Sequence, residues 1–306
     1  MTSRPLIAVG LVLLLLGCSP SPGTPWVRKA DAPQRLSEVG AAAFGGRIWT
    51  AGGMTASGEA ATTVLVYHPS DDSWQRGPEL PVAVHHPALA AGDRLYLVGG
   101  HAGHSPTADV WILDAAGQAW TKGPSLPEPR AAGAAAWDGR RLVYGGGVVA
   151  QGQPRGEVFA LENGQWRTVG SLGKAREHLG AASDAAGRVW FLGGRIGGLD
   201  TNLADVDLVQ GTQVSGIGSL PTPRGGVAGF YAKNHGACLA GGENPAGTHA
   251  EVECVDERGE TARLPNFEHA RHGIGAAALG DGAYVLLGGG KPGLDVTATV
   301  ERLSLT

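Results

Sequence analysis

The stretch Arg94-Leu95-Tyr96-Leu97-Val98-Gly99-Gly100 shows the pattern that decides the fold: a short apolar run that ends abruptly in two glycines. A turn, Gly92-Asp93, precedes it. Glycine pairs recur through the 306 residues at steps of 47, 46, 48, 48 and 47, at Gly52-Gly53, Gly99-Gly100, Gly145-Gly146, Gly193-Gly194, Gly241-Gly242 and Gly288-Gly289. A fixed period of this size indicates a repeat architecture in which each repeat is one supersecondary unit.

Each unit has room for four strands. In the second repeat, residues 88–91 and 94–98 form two apolar runs on either side of a turn, and residues 109–114 form a third. Another turn follows, and Trp120 opens a fourth run. Short β-branched or aromatic runs separated by turn residues are the hairpin signal. Four strands in about 47 residues is typical of a propeller blade.

The turn into the fourth strand has its clearest form in Tyr67-His68-Pro69-Ser70-Asp71-Asp72-Ser73-Trp74, and Trp120 and Trp166 repeat it. Together with the glycine pairs, these residues resemble the kelch motif. The resemblance implies an all-β, six-bladed β-propeller over residues 26–306, with tryptophans that pack one blade on the next. The last repeat supplies only three strands, so we expect the segment around Trp26 to complete the last blade and remove two exposed sheet edges.

The beginning of the chain is predicted to be a targeting segment. An apolar run from Leu6 to Leu16 follows Arg4 and leads into Leu15-Leu16-Gly17-Cys18. The run is short for a membrane span. This arrangement resembles a bacterial lipoprotein signal, which implies a signal peptide over 1–17, acylation of Cys18 and an anchor in the bilayer. Ser19 after the cysteine favours the outer membrane by the same resemblance. Residues 18–25 form a Pro-rich tether. The alternative is an ordinary secretory signal.

Charge and cysteine content bear on the class of partner and on whether the chain contains a disulfide. Without residues 1–17 the chain has 23 basic and 28 acidic residues, which argues against nucleic acid as a partner. Cys238 and Cys254 fall on predicted neighbouring strands of one repeat. In an oxidising compartment they either form a disulfide or remain two small buried thiols.

Arginines recur about 16 residues before five of the six glycine pairs, where the innermost strands begin; the second repeat departs and has His85-His86 a little further along, and two other repeats add a histidine near their arginine. We predict that they surround one mouth of the central channel and bind a ligand there; they are Arg35, His85, His86, Arg130, Arg176, His178, Arg224, Arg271 and His272. Guanidinium groups match carboxylate and phosphate geometry. An acidic peptide, an acidic glycan or a partner protein would fit. The alternative is that the arginines hold neighbouring blades in register.

Other chemistry has weaker support. His85, His86, His101 and His104 share one face of a blade, near Asp109, but loop histidines at this spacing usually face water, so we expect no metal and no cofactor. No nucleophile motif or phosphate loop is present, and no catalytic residue is assigned. Glu38, Glu177, Glu243 and Glu268 lie near the predicted mouth, but nothing in the sequence fixes their separation.

Two functions remain, and they predict different side-chain arrangements at the channel mouth. A binding module should present an open basic surface. A sugar mutarotase or epimerase should hold an acidic side chain, shielded from water, within about 3 Å of a donor. The sequence favours the binding module, without excluding an isomerase.

Overall fold

The structure, a computed structural model, describes residues 25–305. The predicted signal peptide, Cys18 and nearly all of the tether lie outside them. The strands, in chain order, are β1 (Val27–Arg28), β2 (Gly40–Phe44), β3 (Arg47–Ala51), β4 (Val64–His68), β5 (Ser73–Arg76), β6 (Ala88–Ala91), β7 (Leu95–Val98), β8 (His101–Ala102), β9 (Ser105–Pro106), β10 (Val110–Leu113), β11 (Trp120–Lys122), β12 (Ala131–Trp137), β13 (Leu142–Val148), β14 (Glu157–Glu162), β15 (Gln165–Ser171), β16 (Gly180–Ser183), β17 (Arg188–Leu192), β18 (Asp205–Gln210), β19 (Gln213–Ser219), β20 (Ala228–Ala232), β21 (Gly236–Ala240), β22 (Glu243–Asn244), β23 (Gly247–Thr248), β24 (Val252–Val255), β25 (Thr261–Leu264), β26 (Gly275–Leu279), β27 (Gly282–Leu286) and β28 (Val300–Ser304). A 3-10 turn spans Leu199–Thr201.

Six four-stranded antiparallel sheets form the blades of a closed propeller. Their orders are β2-β3-β4-β5, β6-β7-β10-β11, β12-β13-β14-β15, β16-β17-β18-β19, β20-β21-β24-β25 and β26-β27-β28-β1, blades 1 to 6. The innermost strands β2, β6, β12, β16, β20 and β26 contact one another in turn, and β26 contacts β2. The predicted six-bladed fold is confirmed.

The N-terminal strand completes the last blade, as predicted. β1 pairs antiparallel with β28, with Val27 opposite Arg302 and Arg28 opposite Glu301. Trp26 is buried, packs edge-on against Phe267 at 5.8 Å between ring centroids, and donates from Nε1 to the carbonyl of Pro265 at 2.7 Å. Since β25 and Pro265 belong to blade 5, this strand also joins blade 6 to its neighbour.

The same tryptophan contact joins other blades. Trp74, Trp120 and Trp166 each donate from Nε1 to a carbonyl oxygen of the preceding blade, at 2.8–2.9 Å. The acceptors are Ala30, Pro78 and Pro124. A buried indole N–H needs an acceptor, and a carbonyl of the neighbouring blade provides one. Blade 4 has Val214 at this position, and its side chain packs against Gly170 of blade 3.

Blade 5 contains a covalent link. Cys238 and Cys254 face each other across β21 and β24 and are joined by a disulfide, with 3.9 Å between their Cα atoms. Both are fully buried. Among residues 25–305, no helix has the length and apolarity to cross a bilayer.

Candidate ligand site at the channel mouth

Four of the predicted ligand-binding arginines are interior residues. Arg130, Arg176, Arg224 and Arg271 are at most 1 % exposed. Arg176 donates to the carbonyls of Gly193 and Phe191, and Arg224 to that of Leu239. Contrary to the prediction, these guanidinium groups lie inside their blades instead of facing a ligand. Arg130, Arg176 and Arg224 bind the backbone of their own blades, and within residues 25–305 Arg271 donates to Glu301 alone.

Each buried arginine also pairs with a carboxylate from the third strand of its own blade. The pairs are Arg130 with Glu157 (2.8 Å), Arg176 with Asp207 (2.8 Å), Arg224 with Glu253 (2.7 Å) and Arg271 with Glu301 (2.9 Å). A buried charge is tolerated when it is paired and hydrogen-bonded. In blade 3 the position equivalent to Asp207 is Phe159, so Arg130 lies over that ring, 5.4 Å from its centroid, and reaches Glu157 instead.

Arg35 does not occupy the equivalent position in blade 1. In each blade the residue at the arginine position accepts a hydrogen bond from the glycine-pair backbone of the preceding blade, and in blade 1 that acceptor is Leu36, bonded by Gly288 at 2.9 Å. Arg35 is one residue earlier, is exposed, and donates to the Val296 carbonyl. In blade 2 the acceptor is Val84. These two blades have Leu65 and Trp111 where blades 4 to 6 have a carboxylate.

The second residue after each arginine position forms a ring of backbone hydrogen bonds around the channel. Each N–H donates to the equivalent carbonyl of the neighbouring blade at 2.7–3.1 Å, and the ring closes through Glu38, His86, Ala132, His178, Gly226 and Gly273. All six have φ between 51° and 68°. Four are not glycine, so the backbone is strained there, a condition that tends to cluster at functional sites.

Polar side chains collect on this ring, from three positions of each blade. The first is the ring itself, the second is the residue before it, and the third is the residue after the glycine pair, which bridges to the second. We call the charged residues and histidines at these positions the mouth cluster: Glu38, His85, His86, His101, Glu177, His178, Arg195, Glu243 and His272.

Glu38 is the central acceptor of the mouth cluster. It lies 3.1 Å from His86 Nε2 and 3.4 Å from His272 Nδ1. Burial alone would raise the pKa of Glu38, but His86, His272 and His178 outweigh it and hold that pKa well below its usual value. Glu38 is therefore an ionised carboxylate held among imidazoles.

The opposite side of the mouth cluster is a chain of charges. Glu177 contacts His178 at 2.7 Å and Arg195 at 3.2 Å, and Arg195 contacts Glu243 at 2.9 Å. His272 lies 3.6 Å from Glu243. Neither ring nitrogen of His272, which is 1 % exposed, completes a hydrogen bond to residues 25–305. Burial lowers the pKa of His272, but Glu38 and Glu243 outweigh it and raise that pKa above its usual value.

The histidines of blade 2 have lowered pKa values, in contrast to His272. Burial lowers the pKa of His85, lowers that of His86 far more, and lowers that of His101 to about 4. His85 stacks on His101 with 4.9 Å between centroids, and His86 meets His178 at 4.7 Å. These blade 2 rings are neutral imidazoles near pH 7, each with one acceptor nitrogen.

The channel behind the ring is narrow and apolar. Alanine and glycine of the innermost strands line it, and its segment next to the ring has a volume of about 100 Å³. Small-molecule pockets usually have roughly 300–1,000 Å³. The segment next to the ring is therefore too small for a typical small-molecule ligand, which would contact the mouth cluster from the outer side of the ring.

Comparison with known proteins agrees with this architecture. A model of the kelch motif matches residues 35–81 and 83–127. The chain is 31% identical to "Kelch repeat protein M-T8" of Myxoma virus (strain Lausanne) over 48% of this chain and 29% of that protein. It is 26% identical to "Kelch-like protein terF" of Aspergillus terreus over 96% of this chain and 72% of that one. A solved structure, "Structure of YjhT", superposes with a TM-score of 0.73 at 13% identity and covers 89% of this chain and 96% of its own.

The chain is a six-bladed propeller that contains kelch motifs. The similarity to "Structure of YjhT", at 13% identity, is evidence for the fold alone. The chain spans less than a third of the Myxoma protein and 21% of another relative, "Beta-scruin" of Limulus polyphemus.

In this kelch propeller the structure divides the predicted site residues into two groups. His85, His86, His178 and His272 belong to the mouth cluster, whereas the five arginines do not. His104 is exposed, and Asp109 pairs with Lys122 rather than with a histidine. Arg195 was not among the site residues predicted from the sequence. Its signal was its place directly after a glycine pair, where His101 and Glu243 also stand.

Proposed function

We propose that this kelch propeller is an exported, lipid-anchored binding module that captures a polar ligand or partner at the mouth cluster. Its anchor would be acylated Cys18 in the bacterial outer membrane, with the tether holding the propeller close to the bilayer. The observation that carries the binding proposal is the buried, mixed-charge mouth cluster, in which Nδ1 of His272 faces two carboxylates and neither of its ring nitrogens completes a hydrogen bond to residues 25–305.

The balance of charge in the mouth cluster bears on the ligand. Three carboxylates lie beside one arginine and five histidines, so the surface is not the basic bowl that the arginine pattern predicts. A polyanion would meet Glu38, Glu177 and Glu243. A sugar acid or a peptide loop that offers both hydroxyl or amide donors and a carboxylate fits better, since each group finds an opposite partner.

A sugar isomerase is the second candidate, because Glu177 and Glu243 are shielded from water within about 3 Å of donors. The contacts of Glu38 and Glu177 lower the pKa of both carboxylates, although burial acts in the other direction. A general base works best with a pKa near the operating pH. The lowered pKa values therefore favour binding over catalysis.

Two experiments test these proposals. In an NMR screen of sialylated and other acidic sugars, shifted or broadened lines with unchanged anomer exchange support binding, and accelerated exchange supports the isomerase. Loss of the shifts in Arg195→Gln, with Arg35→Gln as an exposed control, would assign the contact to the mouth cluster. For the anchor, Cys18→Ala should move the protein out of the membrane fraction; a variant that still sediments with membranes after a salt wash contradicts it.

A further inference from the structure

The histidines of blade 2 converge with their ring nitrogens towards one another. His85 and His86 follow each other on the chain, and His101 faces His85 across a backbone bridge. Each offers a ring nitrogen, and these three atoms all lie within 4.8 Å of one another. Ligands at about 2.0–2.1 Å from a tetrahedral ion are separated by roughly 3.3 Å. Small side-chain rotations would therefore close the three rings around one ion.

The orientation of His86 indicates which nitrogen would face the ion. Its Nε2 lies 3.1 Å from Glu38 Oε2, while its Nδ1 faces Nδ1 of His85 within hydrogen-bonding distance. A neutral imidazole carries one N–H. With that proton donated to Glu38, Nδ1 of His86 presents a lone pair. A carboxylate that accepts from the second nitrogen of a histidine is the usual outer support of a metal ligand.

The partner rings also have free lone pairs. His85 presents Nδ1 to His86, and with its single ring proton on Nε2 this nitrogen carries a lone pair. Nδ1 of His101 is buried without a hydrogen-bond partner among residues 25–305. Two lone pairs that face each other repel unless a cation lies between them. An unsatisfied buried nitrogen beside them is a further cost that coordination would remove.

The structure assigns to His85, His86 and His101 a binding site for a divalent transition-metal ion, with Glu38 as the supporting carboxylate. Imidazole is the donor that zinc, copper, nickel and iron share. Three protein ligands leave a coordination position open, and His85 and His101 are only partly buried, so that position can be reached from the loop face. This site goes beyond the proposed binding of a polar ligand and does not depend on it.

A second arrangement, Glu38 with His86 and His178, also has three ligand atoms close together. There the groups already satisfy one another, since His178 contacts Glu177 at 2.7 Å and Glu38 contacts both His86 and His272. An ion would have to break these ion pairs. Within residues 25–305 the blade 2 histidines have no ion pair to lose, apart from the Glu38 contact that supports the site.

Titration of the untagged full-length chain with Zn²⁺ by calorimetry, and with Co²⁺ by visible absorption, tests the site. We expect one ion per chain with submicromolar affinity and the intense visible bands of a low-coordinate Co²⁺ ion. His101→Ala should abolish both, and Glu38→Gln should weaken affinity by about 10–100-fold with the stoichiometry kept. His104→Ala, an exposed histidine of the same hairpin, should bind like the wild type.

Thermal melting without metal checks that each variant folds, and His101→Asn replaces His101→Ala if the latter does not. Absence of stoichiometric binding by the wild type would overturn the site, because the two rings would then share a proton. Equal loss in His104→Ala would overturn it as well, since the ion would then be held by exposed histidines.

Discussion

Replacing Arg224 by leucine should destabilise the propeller, and a second replacement should restore it. Arg224 and Glu253 are both 0 % exposed, 2.7 Å apart, and Arg224 also donates to the carbonyls of Thr222 and Leu239. Arg224→Leu leaves Glu253 with Thr222 and Arg263 as its only donors in the described part of the chain, residues 25–305. Removing one member of a buried pair typically costs about 3–5 kcal/mol. For a domain of this size that is roughly 10 °C in melting temperature.

The chain itself shows what should compensate. Blade 1 has Leu36 and Leu65 at the two equivalent positions, both buried in one apolar cluster. The double variant Arg224→Leu, Glu253→Leu should therefore have a free energy of unfolding within about 1–2 kcal/mol of the wild-type value, since apolar replacement of a buried pair is often neutral. Arg263→Leu is the matched control. It removes an exposed contact to the same carboxylate and should cost less than about 1 kcal/mol.

Urea unfolding of the wild type, Arg224→Leu, Glu253→Leu and the double variant, followed by circular dichroism, gives the four free energies of unfolding for a double-mutant cycle. A double variant as unstable as Arg224→Leu would refute the reasoning, because the cost would then come from the lost backbone contacts rather than from the isolated carboxylate. A single variant with unchanged stability would show that the arginine is not structural and would reopen a role in ligand capture.

Three further predictions concern stability. Burial alone would raise the pKa of Glu253, but Arg224 and Thr222 hold that pKa below its usual value. The contribution of ionised Glu253 to stability is therefore present above about pH 4.3 and is lost as pH falls towards the lowered pKa. From neutral to acidic pH, the urea midpoint of the double leucine variant should fall less steeply than that of the wild type. Trp26→Ala should lower the free energy of unfolding by about 3–5 kcal/mol. Val27→Ala, a change at an exposed neighbour, is the control, and equal melting temperatures of the two variants would contradict the role of the N-terminal segment in closing the propeller. Replacing Cys238 and Cys254 together by alanine should cost about 3 kcal/mol in the chain-entropy account, for a separation of 16 residues, and the two proteins should differ less in reductant.

The fold was predictable because its signals are local and repeated. Glycine pairs, turns and tryptophans each recur at one place in the unit, and the missing strand of the last repeat pointed to Trp26. The register was less certain where glycines come in threes. In blade 3 the positive-φ pair is Gly146-Gly147, and in blade 6 it is Leu287-Gly288, so one predicted pair lies a residue early and the other a residue late. The step from the arginine position to the positive-φ pair also varies from 15 to 17 residues between blades, so spacing alone could not show that Leu36, not Arg35, is the counterpart of Arg130.

The direction of the arginine side chains could not be obtained from spacing, because the same position can face the channel or the interior of the blade. A signal was nevertheless present. Asp207, Glu253 and Glu301 follow the first valine of their third strands, in blades that also have the arginine, whereas Leu65 and Trp111 stand there in the blades that lack it. A charge that occurs only with its opposite inside one repeat indicates a buried pair rather than a surface for ligands.

The mouth cluster, in contrast, follows no repeat rule, and this is a reason to regard it as functional. The backbone ring needs only a positive φ at six positions, a demand that glycine meets at least cost. Blades 5 and 6 use glycine there, and blade 3 has alanine at both adjoining positions, Ala131 and Ala132. Glu38, His86 and His178 adopt the same strained conformation and bring charge or imidazole into the mouth, in three different blades. A scaffold that could have closed its ring with small residues throughout has polar ones on part of its circumference, and this asymmetry supports the proposal that the mouth cluster binds a ligand.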